Sequence, residues 1–483
     1  MVFAWLIATQ VLATCVGPPY QRPDAMLPPV YPDASATPAS AVSIGDLGWW
    51  QVFKDPQLQK LLRTAVAQNQ DVLVAAQRIQ QAMQALTIAH AGAFPQINLV
   101  VTAPYQQTNG QISATTPKST FVPTGLLTLS YEVDLFGKVS SATAAARANV
   151  LASEFARETV LSTVVTSVAT IYFQILELDQ ELAISKSTLK ARKESLELVT
   201  ARYEGGIGNL QDVRQSQELV AQIEAAIPVL QRTIVQAENS LNILIGGYPG
   251  HVQRGLGINE QVALPDVPAT GVPSSLIERR PDIKQAEAVL ISANAQIGEA
   301  KALLFPQFNI SASVAASSVQ ANGVAVQSLL GRPATTTLGQ GYISIIPQIV
   351  QQIFNAGAAH ANVGITEAGK EAATLQYIQT IHQDVGDVSN ALVAYDQNRK
   401  AEAAQARAAA AAVDSTRLAN LRYDGGITSY LEVLVSEQQS YAAELTLVQS
   451  EYEERQAVVQ LYKALGGGWQ SEPQTADESV PRK

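Results

Sequence analysis

The chain has 483 residues, enough for one very elongated domain or about three compact ones. Its formal charge of −10, with only 15% charged residues, excludes nucleic acid as the main partner, because neutralising phosphate needs clustered Lys and Arg. The single cysteine, Cys15, excludes an intrachain disulfide and a thiolate metal cluster.

From the N-terminus, Val2 to Ala13 is apolar but too short to span a bilayer, and it reads as the core of a signal peptide over 1–14. Leu12-Ala13-Thr14-Cys15 resembles a lipoprotein cleavage box. Cys15 is then the acylated first residue, bearing palmitate-type chains, of an extended segment over 15–55; the other reading is an unmodified cysteine. Acyl chains anchor a protein without spanning the membrane. Beyond this point no uninterrupted apolar run reaches roughly 18 residues, so a membrane role must use β-strands or lipid.

The rest of the chain repeats itself. Asp71, Ala75 and Phe94-Pro95-Gln96 match Asp282, Ala286 and Phe305-Pro306-Gln307 at one offset. Arg202-Tyr203-Glu204-Gly205-Gly206-Ile207 matches Arg422-Tyr423-Asp424-Gly425-Gly426-Ile427 at nearly the same offset. The order is preserved, so the chain holds two tandem copies, 56–246 and 275–466, around a Gly/Pro-rich connector over 247–274.

Each copy opens with a helix, 56–92 or 275–304, which Phe-Pro-Gln ends because proline disfavours α geometry in the residue before it. Period-two segments follow, predicting strands at 97–105 and 126–134 and at 308–316 and 341–348. Next come the helices 138–204 and 356–424, with apolar residues at alternating three and four spacing, the coiled-coil pattern. At about 1.5 Å per residue such a helix is a rod of roughly 100 Å. Gly205-Gly206 and Gly425-Gly426 stop the rods, since glycine readily takes the left-handed C-cap geometry. Return helices of about half the length follow at 210–245, with a kink expected at Pro228, and at 430–465. The tail 467–483 reads as disordered.

Four strands cannot close a transmembrane barrel, since the smallest have about eight and open edges cannot face lipid. Three chains supply twelve strands, and symmetric closure around an axis is the usual outcome of head-to-tail contacts. The expected fold is a membrane α+β architecture. A trimeric 12-stranded β-barrel, four strands per chain, continues into a long α-helical coiled-coil barrel.

Gly48-Trp49-Trp50 with Phe53, Asp55-Pro56 and Leu58, then Gly271-Val272-Pro273-Ser274 with Glu278-Arg279-Arg280-Pro281-Asp282-Ile283, together with the Arg-Tyr-acid-Gly-Gly-Ile turns, resemble the TolC/OprM outer-membrane factor family. The resemblance covers about 20 to 470. It implies a homotrimer in outer-membrane lipid, extending into the periplasm. This would be a multidrug-type exit duct for small molecules expelled by an inner-membrane pump of the resistance-nodulation-division type through a periplasmic adaptor.

The hairpin tips are the candidate site. The resemblance implies that Glu432, and Asp212 at the matching position, form an acidic constriction ring that attracts cations; the bland alternative is a helix N-terminal charge favoured by the dipole. Val435 stands where relatives can carry a second acid. The resemblance also implies that Arg422 and Tyr423, with Arg202 and Tyr203, hold neighbouring hairpins shut, against plain C-terminal capping and packing. Gly205, Gly206, Gly425 and Gly426 are turn residues that present the adaptor-contact surface. Arg279, Arg280 and Asp282 read as helix caps and anchors, and Trp49 and Trp50 as packing residues. The four histidines lack metal spacing and the three methionines do not cluster. No Walker or nucleophile-elbow motif is present, so neither cofactor nor catalysis is expected. A periplasmic coiled-coil spacer or adaptor is the rival reading, and the mid-repeat strands argue against it.

Overall fold

A computed structural model describes residues 16–29, 31, 43–107, 119–261, 273–322, 338–470 and 472. Cys15 and the signal-peptide reading over 1–14 lie outside them. The helices are α1 Pro56–Gln68, α2 Gln70–Ala91, α3 Lys138–Glu204, α4 Leu210–Leu244, α5 Ser274–Arg279, α6 Pro281–Ala302, α7 Ala358–Asp424 and α8 Tyr430–Ala464. The strands are β1 Gln96–Thr102, β2 Tyr105–Gln107, β3 Ser119–Phe121, β4 Thr124–Val133, β5 Gln307–Asn322 and β6 Leu338–Val350. Packing divides the chain into two units that each draw on both sequence copies. The first is Met1–Pro23, Gln80–Ala152 and Glu287–Gln376; the second is Asp24–Ile79, Ser153–Ala286 and Tyr377–Lys483.

The first unit contains an antiparallel sheet. β1 pairs with β4 from Gln96↔Ser130 to Thr102↔Thr124, β4 with β5 from Thr124↔Ser317 to Val133↔Phe308, and β5 with β6 from Gln307↔Val350 to Val319↔Leu338. β2 pairs with β3, which also pairs with β5. The stretch expected as one strand at 97–105 is thus interrupted before Tyr105, and a second interruption separates β3 from β4. Pro104 and Pro123 stand at the two breaks, and proline brings no N–H to a ladder. β1–β2 and β3–β4 therefore act as two bent strands, giving four in all with β5 and β6. β5 and β6 run beyond the expected 308–316 and 341–348.

Among the described residues, β1 and β6 each pair along one side only, leaving a row of backbone polar groups without a strand. Both edges carry exposed apolar side chains: Ile97, Leu99 and Val101 alternate along β1, and Ile343, Ile345, Ile346 and Ile349 crowd β6. At the sheet's end Phe136 stacks on Phe305 with centroids 4.7 Å apart. Asp134 caps α3 by accepting from Ser140 N at 2.8 Å. The segment after Cys15 is tied to α6. Asn294 Nδ2 donates to Pro18 O at 2.9 Å, Arg22 donates twice to Glu287 at 2.7 and 2.8 Å, and Gly17 packs on Gly298.

In the second unit the stretch read as one helix over 56–92 is two. Asn69 breaks it with ψ 130, capping α2 by accepting from Val72 N at 3.0 Å while its amide donates to Leu244 O at 2.7 Å. Arg280 breaks the second copy at the matching position, with ψ 125, because Pro281 follows. Pro228 lies inside α4 without ending it. Residues before 56 are not simply extended: a 3-10 turn forms at Ile44–Asp46 and a helical turn at Trp49–Val52, the latter burying Trp49.

Asp55 caps α1, accepting from Gln57 N at 2.8 Å, and also accepts from Tyr172 Oη at 2.8 Å and Gln261 Nε2 at 2.9 Å. The connector is thereby fastened to α3. Residues 467–470, expected within a disordered tail, are instead folded in, with Gly467 and Gly468 buried. Ser162 Oγ donates to Gly467 O at 2.6 Å, and Gln470 Nε2 donates to Gly45 O at 3.0 Å.

Candidate functional site at the hairpin tips

Both tips belong to the second unit and are built alike. In the first, Gly206 takes φ +76 while Gly206 N donates to Tyr203 O and Ile207 N to Arg202 O, each at 3.0 Å. In the second, Gly426 takes φ +69 with the same pair of bonds to Tyr423 O and Arg422 O at 3.0 and 2.9 Å. This is the double closure of a Schellman motif, and it needs a residue that tolerates left-handed φ. Gly205 and Gly425 precede the turn with their own amides still bonded into the rods. The chain re-enters a helix at Asn209, whose side chain accepts from Gln211 N at 3.0 Å, and at Ser429.

One small apolar core joins the two tips. Val199, Val213, Ala419, Tyr430, Val433 and Leu434 are buried together, with Leu196, Leu219 and Tyr423 packed against them. The Tyr430 hydroxyl lies 2.9 Å from Ser195 Oγ and donates to Ser216 Oγ at 3.2 Å, so the second tip is hydrogen-bonded to the first. Burial raises the Tyr430 phenol's pKa, keeping it neutral.

The predicted charged residues separate into two groups. Arg202 reaches across: its guanidinium sits 4.2 Å above the Tyr423 ring, 3.5 Å from Tyr423 O and 3.5 Å from Asp424 Oδ1. Arg422 stays at home and pairs with Glu432, which also accepts from Thr428 Oγ1. The repeat's symmetry ends here, since Asp212 makes no ion pair among the described residues. Asp212 is half-buried in the first turn of α4, and Tyr203 is exposed. Sequence reasoning missed Asp424, Thr428, Ser195 and Ser216. Asp424 sits within the repeated Arg-Tyr-acid-Gly-Gly motif; nothing local marked the other three. At the outermost points Ile207 and Ile427 are 82% and 73% exposed.

A second charged knot lies in the same unit. Arg280 donates to Asp282 at 2.9 Å and to the last helical carbonyl of α8, Ala464 O, at 3.1 Å, and it pairs with Asp384 on α7 at 2.8 Å. Arg279 pairs with Asp46 at 2.7 Å. One guanidinium thus serves two carboxylates, the buried Asp384 and the partly exposed Asp282. Asp282 takes the lowered pKa through its hydrogen bond to Arg280, and burial raises Asp384 to about 8.

This architecture, two repeats of strand pair, long rod, glycine turn and return helix, is that of an outer-membrane efflux channel. The model of the outer membrane efflux protein family matches twice, over residues 61–247 and 272–467, once for each copy. Among curated relatives, the probable efflux pump outer membrane protein TtgC of Pseudomonas putida is 33% identical over 487 residues, covering 98% of each chain. The cation efflux system protein CusC of Escherichia coli is 30% identical over 469 residues, covering 96% of this chain and 98% of its own. Among solved structures, the open state of the MtrE outer membrane channel of Neisseria gonorrhoeae superposes with a TM-score of 0.81 at 28% identity, covering 95% and 99% of the two chains.

The chain belongs to the outer membrane efflux protein family. It is an outer-membrane channel component of an efflux system, located in the outer membrane and extending into the periplasm, and its family is one of transport channels.

Proposed function

We propose that three copies of this chain close a twelve-stranded barrel, β1 of one copy pairing with β6 of the next. The assembly is a passive exit duct for small molecules delivered by an inner-membrane pump, of the resistance-nodulation-division type, through a periplasmic adaptor. The observation that carries this reading is the open sheet: two unpaired edges bearing exposed isoleucine, leucine and valine have no stable place in water or lipid until they meet.

In this reading the tips are the periplasmic gate. Arg202, bound to Tyr423 and Asp424 of the other hairpin, is the closing contact, while the Arg422–Glu432 pair braces one hairpin internally. Pairing with Arg422 offsets the charge of Glu432, so the unpaired Asp212 supplies more of the negative potential for cations. The glycine turns, with Ile207 and Ile427 beyond them, present the surface the adaptor meets. Cys15 carries the acyl anchor, and the tie from residues 17–22 to α6 supports a short, fixed lead to it.

Single-channel recording in planar bilayers tests the gate. Wild-type protein should show a small, mostly closed conductance, and Arg202→Ala a larger and longer-lived one. If Arg202→Ala conducts like wild type while Arg422→Ala opens the channel, the closing contact is misassigned. No conductance from either protein would sink the duct itself.

A further inference from the structure

Above the tips, α3, α7 and α8 enclose a groove of about 220 Å³ lined by Arg192, Thr416, Asn420, Glu437, Tyr441 and Glu444, among others. Arg192 is only 3% exposed. It donates through one terminal nitrogen to Leu219 O at 3.0 Å, and its guanidinium lies 5.5 Å from the centre of the Tyr441 ring. Its Nε has no hydrogen-bond partner, and neither does the buried Oε2 of Glu437, in the same groove. Around them three neighbouring polar groups are already engaged. Tyr441 Oη lies 3.0 Å from Ser185 Oγ, Glu444 accepts from Ser440 Oγ at 3.0 Å, and Thr416 Oγ1 donates to Ser436 O at 2.8 Å.

A buried N–H and a buried carboxylate oxygen that both go unanswered are costly, and the cost is recovered when each meets its complement. Here the two complements are of opposite kind and belong in one small space: an acceptor for Arg192 Nε and a donor for Glu437 Oε2. The two charges already attract each other, but an anion alone would leave Glu437 Oε2, and a cation alone Arg192 Nε, without a hydrogen-bond partner.

We propose that this groove is a binding site for a small zwitterion of the α-amino-acid class, its carboxylate on Arg192 and its ammonium on Glu437. The volume accommodates a molecule of that size, and the hydroxyl and amide groups of Thr416 and Asn420 flank it. A bound molecule touches α3, α7 and α8 together, so it braces the rods and the second return helix just above the tips. The site is independent of the transported cargo and of the barrel.

Isothermal titration calorimetry on the full-length protein in detergent, with glycine as the probe, tests it. Glycine should bind saturably, whereas acetate and methylammonium, each carrying half of its charge pattern, should bind at least tenfold more weakly. Arg192→Gln and Glu437→Gln should each weaken glycine binding at least tenfold. Thr188→Leu, which fills the groove from its half-exposed side and leaves both charges in place, should abolish it. That variant decides the matter if either charge variant fails to migrate as the folded oligomer. Absence of saturable glycine binding, equal binding of acetate, or undiminished binding in the variants would overturn the proposal.

Discussion

Replacing Asp384 by Asn should remove most of the protein's loss of stability between pH 6 and pH 8. Asp384 is 3% exposed and shares Arg280 with Asp282. Burial disfavours the charged form of Asp384 and the single Arg280 charge is shared with Asp282, so the pair retains a proton that the unfolded chain releases, and Asp384 is the member raised, from 3.8 to about 8. The sign follows from proton counting. Between the ordinary carboxylate range and pH 8 the native state binds one proton more than the unfolded state, so stability falls as pH rises. The slope is about 1.4 kcal/mol per pH unit well below pH 8 and half that at pH 8, which makes about 2 kcal/mol between pH 6 and pH 8. Asn places an amide where the protonated carboxyl stands, so the variant keeps the neutral form at every pH. Thermal midpoints of the detergent-solubilised protein, taken every half unit from pH 5.5 to 9, should fall steeply for wild type and less steeply for Asp384→Asn, in which burial still raises Glu177 to about 7. The two curves converge only near pH 4, below the assayed range, so the variant should lie above wild type throughout it with a gap that widens as pH rises. Parallel curves would refute the shared-proton argument.

Gly206→Val or Gly426→Val forces a β-branched residue into φ +76 or +69 and should cost about 1–3 kcal/mol, read as a lowered unfolding midpoint. Tyr430→Phe removes the hydroxyl that ties Ser195 and Ser216 across the tips. It should cost about 1 kcal/mol and raise proteolytic nicking near residues 205–209. Asp55→Ala strips a helix cap and leaves Tyr172 and Gln261 without their buried acceptor. About 3 kcal/mol is expected, from roughly 1 for the cap and 1–3 for the stranded partners, again as a shift in midpoint.

The fold class was legible in the sequence because its signals are local and doubled. The coiled-coil spacing of the rods, the Gly-Gly pairs and the Phe-Pro-Gln breaks each occur twice in the same order; the first acts through apolar side chains repeated along one face, the other two through the backbone of the residues that carry them. The single-residue interruption at Asn69 was not legible, since the apolar spacing runs on across it, whereas the one at Arg280 was signalled by Pro281 and the single helix read over 275–304 passed over it. Pro104 marked the break inside the stretch read as one strand over 97–105, while the short strand β3 before Pro123 gave no sign of itself.

The residues of the tips could be picked out, but not their partners. The matching motifs of the two copies suggest matching roles, and in the structure Arg202 crosses to the other hairpin while Arg422 binds within its own. That choice depends on which ring and carboxylate the packed rods bring near, information absent from either motif. Arg192 and Glu437 look like ordinary charges on helices whose other faces are polar, and only the packing of three helices buries them. The folded start of the tail, Gly467 to Gln470, was hidden for the same reason: glycine-rich sequence reads as loose until its backbone finds Ser162 and Gly45.

The closure of the sheet between copies can be measured by cysteine cross-linking in outer-membrane vesicles. One cysteine replaces Asn98 on β1, and a second is moved residue by residue from Tyr342 to Gln348 on β6. Intermolecular disulfides should form at a periodic subset of positions, with a covalent trimer as the largest product. Bonds formed only within one chain, or a series that ends at dimers or runs past trimers, would contradict it.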